Sequence, residues 1–275
     1  MANISNKYSL FTKSCHHKKM LSSSNIKLIN SLEHKKYREK YNLFVIEGNK
    51  IVGEFLGGGM PVEKVFATPS WLKENKGTKL SAAGEVINVS ENELKKVSKL
   101  KTPPGVLALV RIKDRDIDIQ KIATGLSIGL ESIRDPGNLG TIIRIAAWFN
   151  IAYIICSNDS VDVYNPKTVR SSMGALAHTN VIYTDLALFT GKLRKLGTPI
   201  YAIDLDGKSV YESKLSNRGL LLFGNESKGL SGLLEPFVSD KLLIPPSGRI
   251  LPGIDSLNVA MSAAIICSEF RRKRP

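Results

Sequence analysis

The sequence predicts an α/β fold built from two units, the second of which carries a parallel sheet. Short apolar runs alternate along the chain with longer segments of helical periodicity, which is the pattern of strands joined by helices. In the second half the apolar runs are almost uninterrupted, as expected for strands covered by helices on both faces of a sheet. A charged connector at residues 113–118 lies between the two regions. We therefore predict a small N-terminal α/β domain and a larger C-terminal one.

The first unit follows a polar, basic stretch. Residues 1–24 include the run Ser22-Ser23-Ser24, and we predict that they form a basic flexible tail. The small α/β domain is predicted over residues 25–112. Its elements are a basic helix at 25–38, a strand at 43–46, a helix at 49–56, strands at 62–67 and 84–89, a helix at 91–100 and a strand at 105–111. Ser90 and Glu93 have the spacing of a capping box at the start of the last helix.

The second unit begins after a linker that we place at residues 113–124. It covers residues 125–275 and shows no internal repeat. Strands are predicted at 126–130, 153–156, 181–183, 200–204, 220–223 and 241–244, and helices at 139–149, 186–196 and 257–270. The carboxyl ends of parallel strands share one edge of a sheet, so we expect a site there.

Charge is the strongest global signal. The formal net charge is +14, and residues 7–50 hold ten Lys and Arg against three Glu. The chain also closes on Arg271-Arg272-Lys273-Arg274. Two basic ends favour a nucleic-acid partner, because phosphates neutralised by Lys and Arg release counterions. The alternative is a basic but otherwise ordinary soluble surface.

Other classes of protein lack support in the sequence. No stretch approaches the roughly 18 apolar residues of a membrane span, and the first 20 residues lack the apolar block of a secretory signal. We therefore predict a cytoplasmic protein with no membrane partner. The three cysteines and four histidines show no metal-ligand spacing, so we expect no metal.

Three segments of the second unit each join a turn to an apolar run. In the first, residues 138–146, Asn138 can cap a helix on which Arg144 lies opposite the buried face, on the same side as Trp148. In the second, residues 222–230, Glu226 lies in a glycine-flanked loop after a strand. In the third, Ser256 is predicted to cap a helix that starts at residue 257. We expect the three turns to converge on one site.

The glycine-flanked loop does not fit two common nucleotide-binding patterns. It lacks the Gly-Lys-Ser/Thr sequence of a phosphate-binding loop, since Lys228 precedes Gly229 and Leu230 follows. It also lacks the Gly-x-Gly-x-x-Gly pattern of dinucleotide-binding folds. ATP hydrolysis and NAD chemistry therefore lose their main support.

These segments, in this order, resemble the motifs of SpoU-type (TrmH-like) RNA 2′-O-ribose methyltransferases of the SPOUT superfamily. Residues 165–167 and 170–175 also resemble the run after the family's second strand. The likeness covers about residues 125–275, and residues 25–112 resemble the family's substrate-binding α/β domain less closely. The resemblance implies a SPOUT-type parallel sheet with a C-terminal trefoil knot and a homodimer formed through the knot region. It also implies S-adenosylmethionine as the methyl donor and RNA as the partner. The separate N-terminal domain favours ribosomal RNA, because a folded RNA target offers shape that a second domain can read.

The resemblance also implies roles for individual residues. The residues implied at the reaction centre are Asn138, Arg144, Glu226, Ser256 and Asn258. Those implied at the cofactor are Phe223, Gly224, Asn225, Ile244 and Leu257. Candidate RNA contacts are Lys35, Lys36, Arg38, Lys167 and Arg170. One departure from the family is an apparent insertion at residues 249–253, which could reshape the cofactor entrance.

The chemistry assigned to Arg144 follows from its side chain. A guanidinium stays protonated in proteins, so it cannot act as a general base. We interpret Arg144 as an electrostatic clamp that binds the phosphate beside the target ribose and stabilises the developing alkoxide. Two alternatives stay open at this point, namely a tRNA methyltransferase with the same chemistry and a catalytically silent RNA-binding protein on the same scaffold.

Overall fold

The computed structural model describes residues 21–113, 117–248 and 256–272. The first domain contains a four-stranded sheet of order β1-β4-β2-β3, in which β4 runs antiparallel to both of its neighbours. Its elements are α1 (Ser23–Ser31), α2 (Lys35–Tyr41), β1 (Leu43–Glu47), α3 (Asn49–Gly57), β2 (Val62–Ala67), α4 (Pro69–Glu74), β3 (Glu85–Asn88), α5 (Glu91–Lys95) and β4 (Val106–Arg111).

The second domain contains a six-stranded sheet of order β10-β8-β9-β5-β6-β7, and every neighbouring pair is parallel. This confirms the predicted α/β fold with a parallel sheet. Its elements are α6 (Ile119–Thr124), β5 (Leu126–Leu130), α7 (Pro136–Trp148), β6 (Tyr153–Ser157), α8 (Pro166–Ser171), β7 (Asn180–Thr184), α9 (Leu186–Lys195), β8 (Ile200–Ser209), β9 (Gly219–Phe223), β10 (Asp240–Leu243) and α10 (Val259–Arg271).

The basic helix predicted at residues 25–38 is two helices. α1 ends with Leu32 as its C-terminal cap, and α2 starts after His34. The break lets the Arg38 guanidinium donate to the carbonyl oxygens of Leu32 and Glu33, at 2.8 and 2.7 Å. These carbonyls follow the last turn of α1, so a side chain supplies the partners that a continuing helix would have provided.

Two other boundaries of the first domain differ from the predictions. The predicted tail extends to residue 24, but Leu21 is buried and its backbone N–H donates to Glu93. The rest of that tail, residues 1–20, lies outside the described residues. α5 ends at Lys95 rather than at residue 100, because Ser98 and the backbone of Lys99 bind the carboxylate of Glu47 instead. The capping box of Ser90 and Glu93 is confirmed.

Three short helices were not predicted: α4, α6 and α8. α6 occupies the second half of the segment that we interpreted as a linker. The central part of the charged connector, residues 114–116, lies outside the described residues, as does the apparent insertion at 249–253.

The first residue of the basic run at the C-terminus has a structural contact. Arg271 donates hydrogen bonds to the carbonyl oxygens of Phe149 and Asn150 at the end of α7, so its guanidinium stabilises the end of that helix.

The two domains of the chain share one apolar core. Phe44 and Phe55 of the first domain belong to the same buried cluster as Val163 and Leu176 of the second. The rings of Phe44 and Tyr164 lie 4.6 Å apart between centroids. Because the core is continuous, the first domain is docked on the second rather than tethered to it by a flexible segment.

Two ion pairs cross the same boundary between the domains. Arg38 binds Asp162 with an Nη2–Oδ2 distance of 2.6 Å, and His178 Nε2 lies 2.9 Å from Glu54 Oε2. The side chain of Arg38 is only 4% exposed, whereas those of His178 and Glu54 are nearly half exposed. The Arg38 pair is therefore the buried polar anchor of the boundary.

Within the described parts of the chain, no helix is both long and apolar enough to cross a membrane. Cys156 and Cys267 are free and buried. Burial raises the pKa of both thiols, that of Cys267 to about 12. Among the residues that the structure describes, no three His, Cys, Asp or Glu side chains are grouped so that they could hold a metal ion.

Candidate active site

A cleft of about 550 Å³ opens where β8 separates from β9. The pairing of these two strands ends at Ala202 and Leu222, whereas β8 pairs with β10 both at Ala202 and further on at Lys208 and Ser209. The separation leaves a concave space beyond the end of β9, beside the first residues of α10. Its volume lies within the roughly 300–1,000 Å³ typical of small-molecule sites. The site expected at the carboxyl edge of the sheet is thus a physical cleft.

Residues from the second and third sequence segments line this cleft together, whereas no residue of the first segment, 138–146, belongs to its walls. All five residues predicted at the cofactor and two of those predicted at the reaction centre belong to its walls. They are Phe223, Gly224, Asn225, Ile244, Leu257, Glu226 and Ser256. Their convergence follows from the strand order, which brings β9 and β10 to either side of β8.

The loop after β9 is held in a tight turn by Asn225. Its backbone exchanges two hydrogen bonds with Gly229, at 3.0 and 2.9 Å. Its side-chain oxygen accepts from the backbone N–H groups of Ser227 and Lys228, and its amide nitrogen donates to the carbonyl oxygen of Ser132. Asn225 therefore shapes the cleft wall and joins it to the loop after β5.

Gly224 is required by this turn. A Cβ atom on Gly224 would lie 2.2 Å from the carbonyl carbon of Gly229 and 2.4 Å from the backbone nitrogen of Leu230. Both obstructing atoms belong to the backbone, so they cannot move aside without opening the turn. The absence of a side chain at this position is thus explained by the loop itself, whether or not a ligand approaches it.

A chain of hydrogen bonds connects three of the five residues predicted at the reaction centre. Asn258 Oδ1 accepts from the backbone N–H groups of Ala260 and Met261, and its Nδ2 donates to Asn138 Oδ1 at 3.0 Å. Asn138 Nδ2 then donates to Glu226 Oε1 at 2.8 Å. The backbone N–H groups require the oxygen of the Asn258 amide, and the Glu226 carboxylate requires the nitrogen of the Asn138 amide. The orientations of both amides are therefore assigned.

Hydrogen bonds from backbone N–H groups at the starts of α7 and α10 correct two predicted helix caps. α7 is capped by Asp135, whose Oδ1 accepts from the backbone of Asn138, and Pro136 takes the first helical position. α10 is capped by Asn258 rather than by Ser256. In both cases the true cap lies within three residues of the predicted one. The correction leaves the side chain of Asn138 available for the hydrogen-bond chain.

Asp135 is also bound by a lysine predicted to contact RNA. Lys167 Nζ lies 2.9 Å from Asp135 Oδ2, and the lysine side chain is 55% exposed. The hydrogen bond from Lys167, followed by that from the Asn138 backbone, holds the pKa of Asp135 below its ordinary value. Asp135 therefore stays ionised at the N-terminus of α7, where a negative charge is favourable.

The loop between β5 and α7 is strained and tightly held. Ser132 has a φ of 54°, which is unusual for a residue other than glycine. Its N–H donates to Ser157 Oγ, its hydroxyl donates to Asp159, and its carbonyl accepts from Asn225. Hydrogen bonds from Ser132 and Ser157 lower the pKa of Asp159. These contacts hold the start of α7 in position relative to the cleft.

Arg144 is separate from the hydrogen-bond chain. It lies on the exposed side of α7, and its side chain forms no hydrogen bond or ion pair with any other residue that the structure describes. Trp148, one turn further on, is 84% exposed, as the helical periodicity predicted. Within the described structure, the Arg144 side chain is therefore exposed and carries an unpaired charge.

The predicted RNA contacts have different environments. Lys35 and Lys36 are exposed on α2, and Arg170 is partly buried on α8. Arg38 is a correction, because its side chain is 4% exposed and its three nitrogens bind Asp162 and two backbone carbonyls. A guanidinium enclosed in this way cannot reach an RNA phosphate.

Sequence reasoning missed the contribution of β8. Ile203, Asp204 and Leu205 line the cleft opposite the loop after β9. The apolar run that predicted this strand ended at residue 204, and nothing in it indicated a ligand. The order of strands in the sheet, had it been known, would have identified this segment, because β8 lies between β9 and β10.

Comparisons with known proteins agree with this architecture. The SpoU rRNA Methylase family matches residues 125–268, and an MRM3-like substrate binding domain matches residues 23–108. The 23S rRNA (guanosine(2553)-2′-O)-methyltransferase RlmP of Bacillus subtilis is 29% identical over 87% of this chain and 93% of its own length. Mitochondrial rRNA methyltransferase 3 of Xenopus laevis is 28% identical over 90% of this chain and 73% of its own.

Solved structures give the same result. A TrmH-family protein from Porphyromonas gingivalis is 34% identical and superposes with a TM-score of 0.80, over 92% of this chain and 99% of that one. The AdoMet-bound rRNA methyltransferase of Sinorhizobium meliloti is 27% identical with a TM-score of 0.79, over 92% and 97%. The resemblance carried by the three sequence segments is confirmed. The chain belongs to the SpoU rRNA methylase family.

Proposed function

We propose that this protein transfers the methyl group of S-adenosylmethionine to a ribose 2′-hydroxyl in ribosomal RNA. The observation that carries this proposal is the strand-end cleft beside the Asn258–Asn138–Glu226 hydrogen-bond chain. The names of RlmP and of mitochondrial rRNA methyltransferase 3 support ribosomal RNA over tRNA as the substrate. The net charge of +14 supports a polyanionic substrate.

The walls of the cleft suit S-adenosylmethionine. Phe223, Ile244 and Leu257 supply apolar surface for an adenine ring, and the turn at Asn225 supplies backbone groups. The carboxylate of Asp204 can accept hydrogen bonds from ribose hydroxyls. When bound, the sulfonium of this molecule supplies an activated methyl group. The residues that line the cleft therefore fit S-adenosylmethionine.

We propose a separate role in methyl transfer for each of the residues around the cleft. Asn138 and Asn258, whose amide orientations are set, position the ribose beside the donor. Glu226 orients Asn138 by accepting its hydrogen bond. Arg144 binds the neighbouring phosphate and stabilises negative charge on the attacking 2′-oxygen, whose proton passes to solvent water. Exposed Ser256 is within reach of the ribose or the donor from the cleft wall.

Lysines outside the cleft extend the proposed RNA contact. We assign phosphate contacts to Lys35, Lys36, Lys167 and Arg170, because each carries a positive charge at least partly open to solvent. We further propose the trefoil knot and the homodimer through the knot region that the family resemblance implies. A protein that modifies ribosomal RNA works where ribosomes are assembled, and on that ground we propose the cytoplasm.

The direct test measures methyl transfer. We expect the purified protein to bind S-adenosylmethionine in calorimetry and to transfer labelled methyl groups to ribosomal RNA that lacks the modification. Mapping of 2′-O-methyl positions in cells with and without the gene then identifies the nucleotide. Donor binding without methyl transfer to any RNA would support the silent RNA-binding alternative and overturn the proposal.

Glu226 offers a test of the hydrogen-bond chain. Glu226→Ala removes the acceptor that orients Asn138, so we expect methyl transfer to slow about tenfold or more. Glu226→Gln keeps an oxygen that can accept from Asn138, and we expect it to retain a larger share of the rate. Single-turnover kinetics at saturating donor measure both variants. Equal rates for Glu226→Ala and the unmodified protein would remove Glu226 from the reaction.

Gly224 offers a test of the cleft wall. Gly224→Ala places a methyl group against the backbone of Gly229, so we expect the free energy of unfolding to fall by about 1–3 kcal/mol. We also expect the affinity for S-adenosylmethionine to fall about tenfold, because the wall must open. Gly232→Ala is a matched control, since nothing lies within 4 Å of a Cβ there. Titration calorimetry and urea unfolding measure the two effects, and unchanged donor affinity would contradict the assigned wall.

A further inference from the structure

α2 carries two tyrosines outside the core, of which Tyr41 is exposed and Tyr37 is half-buried with its ring edge-on to His34. The rings of Tyr37 and Tyr41 lie 6.3 Å apart between centroids at an interplanar angle of 14°, so they are stacked. Tyr41 is 41% exposed, and neither ring belongs to a buried cluster or packs against one in the described structure. Their four-residue spacing places them one turn apart on the same side of the helix. Packing of the core therefore gives no reason for this aromatic pair.

Two lysines cover the same pair of rings. Lys36 Nζ lies 4.9 Å from the centroid of Tyr37, and Lys40 Nζ lies 5.4 Å from that of Tyr41. Both lysines are exposed. Aromatic faces interleaved with cations are the combination that binds single-stranded nucleic acid, in which bases stack on rings and phosphates pair with charges.

The position of this surface relative to the active-site domain is set by Arg38. This residue follows Tyr37 in the sequence, but it lies on the buried side of α2 and binds Asp162 of the second domain. α2 is thus held against the catalytic domain, while Tyr41 stays exposed and Tyr37 stays partly open to solvent. A rigid surface binds with less loss of conformational freedom than a mobile one.

We propose that Tyr37 and Tyr41, with Lys36 and Lys40, form a platform on which unpaired RNA bases stack. Double-stranded RNA hides the faces of its bases, so the platform selects an unpaired segment of the substrate. The aromatic rings favour RNA over an acidic peptide as the occupant, because bases stack on rings and carboxylates do not, and the net charge of +14 suits a polyanion. This inference rests on the proposed function and adds which structural class of RNA the first domain recognises.

The test measures binding of a fluorescently labelled oligoadenylate of about ten nucleotides, by anisotropy at several salt concentrations. We expect Tyr37→Leu and Tyr41→Leu each to weaken binding about tenfold, because base–aromatic stacking is lost. We expect Tyr37→Phe and Tyr41→Phe, which keep the ring, to bind within about twofold of the unmodified protein. Tyr211→Leu is the matched control, since Tyr211 is 45% exposed in the other domain.

Salt dependence separates stacking from charge. The leucine variants should keep the slope of log affinity against log salt, whereas Lys36→Gln should reduce the magnitude of that slope by about one. Leucine variants that bind like the unmodified protein would overturn the proposal. Phenylalanine variants that lose as much as the leucine variants would also overturn it, because the hydroxyl rather than the ring would then be the contact.

A second measurement does not depend on folding of the variants. Photocrosslinking of a 4-thiouridine oligonucleotide to the unmodified protein should label the peptide that contains Tyr37 and Tyr41, and labels confined to other peptides would refute the platform. An acidic peptide that competes fully with the oligonucleotide while no crosslink forms on α2 would point to a protein partner instead. If the unmodified protein methylates no RNA, the proposed function fails. If it methylates RNA and the leucine variants match it in binding, only the platform fails.

Discussion

Arg144→Ala is expected to lower methyl transfer about 10²–10³-fold while leaving the affinity for S-adenosylmethionine nearly unchanged. This is the magnitude found when one group that stabilises a developing oxyanion is removed. Arg144 is exposed, and no residue that the structure describes pairs with its side chain, so none of these residues neutralises its charge. It also lies outside the walls of the cleft, which explains why donor binding should survive.

The measurement is single-turnover methyl transfer at saturating donor, together with calorimetry of donor binding. Arg144→Lys keeps the charge but loses the planar fork, and we expect an intermediate rate. Arg218→Ala is a control, because Arg218 is also exposed and its contact with Gly197 lies away from the cleft. Turnover of Arg144→Ala close to that of the unmodified protein would exclude the proposed clamp.

Arg38→Ala is expected to lower the free energy of unfolding by about 3–5 kcal/mol. Removing one partner of a buried ion pair leaves the other charge in a poorly solvated place, which is costlier than losing an exposed pair. Asp162 is 17% exposed and loses its guanidinium partner, and the carbonyl oxygens of Leu32 and Glu33 lose a donor. Both domains contribute to this pair, so we expect their docking to weaken with it.

Urea unfolding followed by tryptophan fluorescence measures this effect. Lys35→Ala on the same helix is the control, since its pair with Glu39 is 65% exposed on both sides and should be worth about 0.5 kcal/mol or less. In a double-mutant cycle, Arg38→Ala and Asp162→Ala should together cost less than the sum of the two single changes. A loss below about 1 kcal/mol for Arg38→Ala would contradict the role of the pair as the anchor between domains.

Local patterns predicted most strands well. The strands at 62–67 and 126–130 have the bounds observed for β2 and β5, because an apolar run in a sheet is a property of adjacent residues. Helix N-caps were predicted less accurately, because several residues able to cap a helix stand close together in the sequence. Asp135 and Asn138 can both cap a helix, and Pro136 between them decides for Asp135 by fitting the first helical position.

The partners of charged residues could not be predicted from local patterns. Arg38 lies among lysines in the sequence, and its charge therefore predicts an RNA contact. Its partner Asp162 is 124 residues away, and only folding brings the two together. The spacing of Tyr37 and Tyr41 also left their location open, because tyrosines one helical turn apart occur both in cores and on surfaces.

The sequence by itself determined the α/β alternation, the basic character, the three turn segments and, through them, the family. Each of these depends on neighbouring residues or on short motifs read in order. The tertiary structure decided that β8 lines the cleft, that Asn138 bridges Asn258 and Glu226, and that Arg38 is internal. These features join residues 88 to 124 positions apart. Contacts at such separations depend on strand order and on the docking of the domains, which no local pattern in the chain encodes.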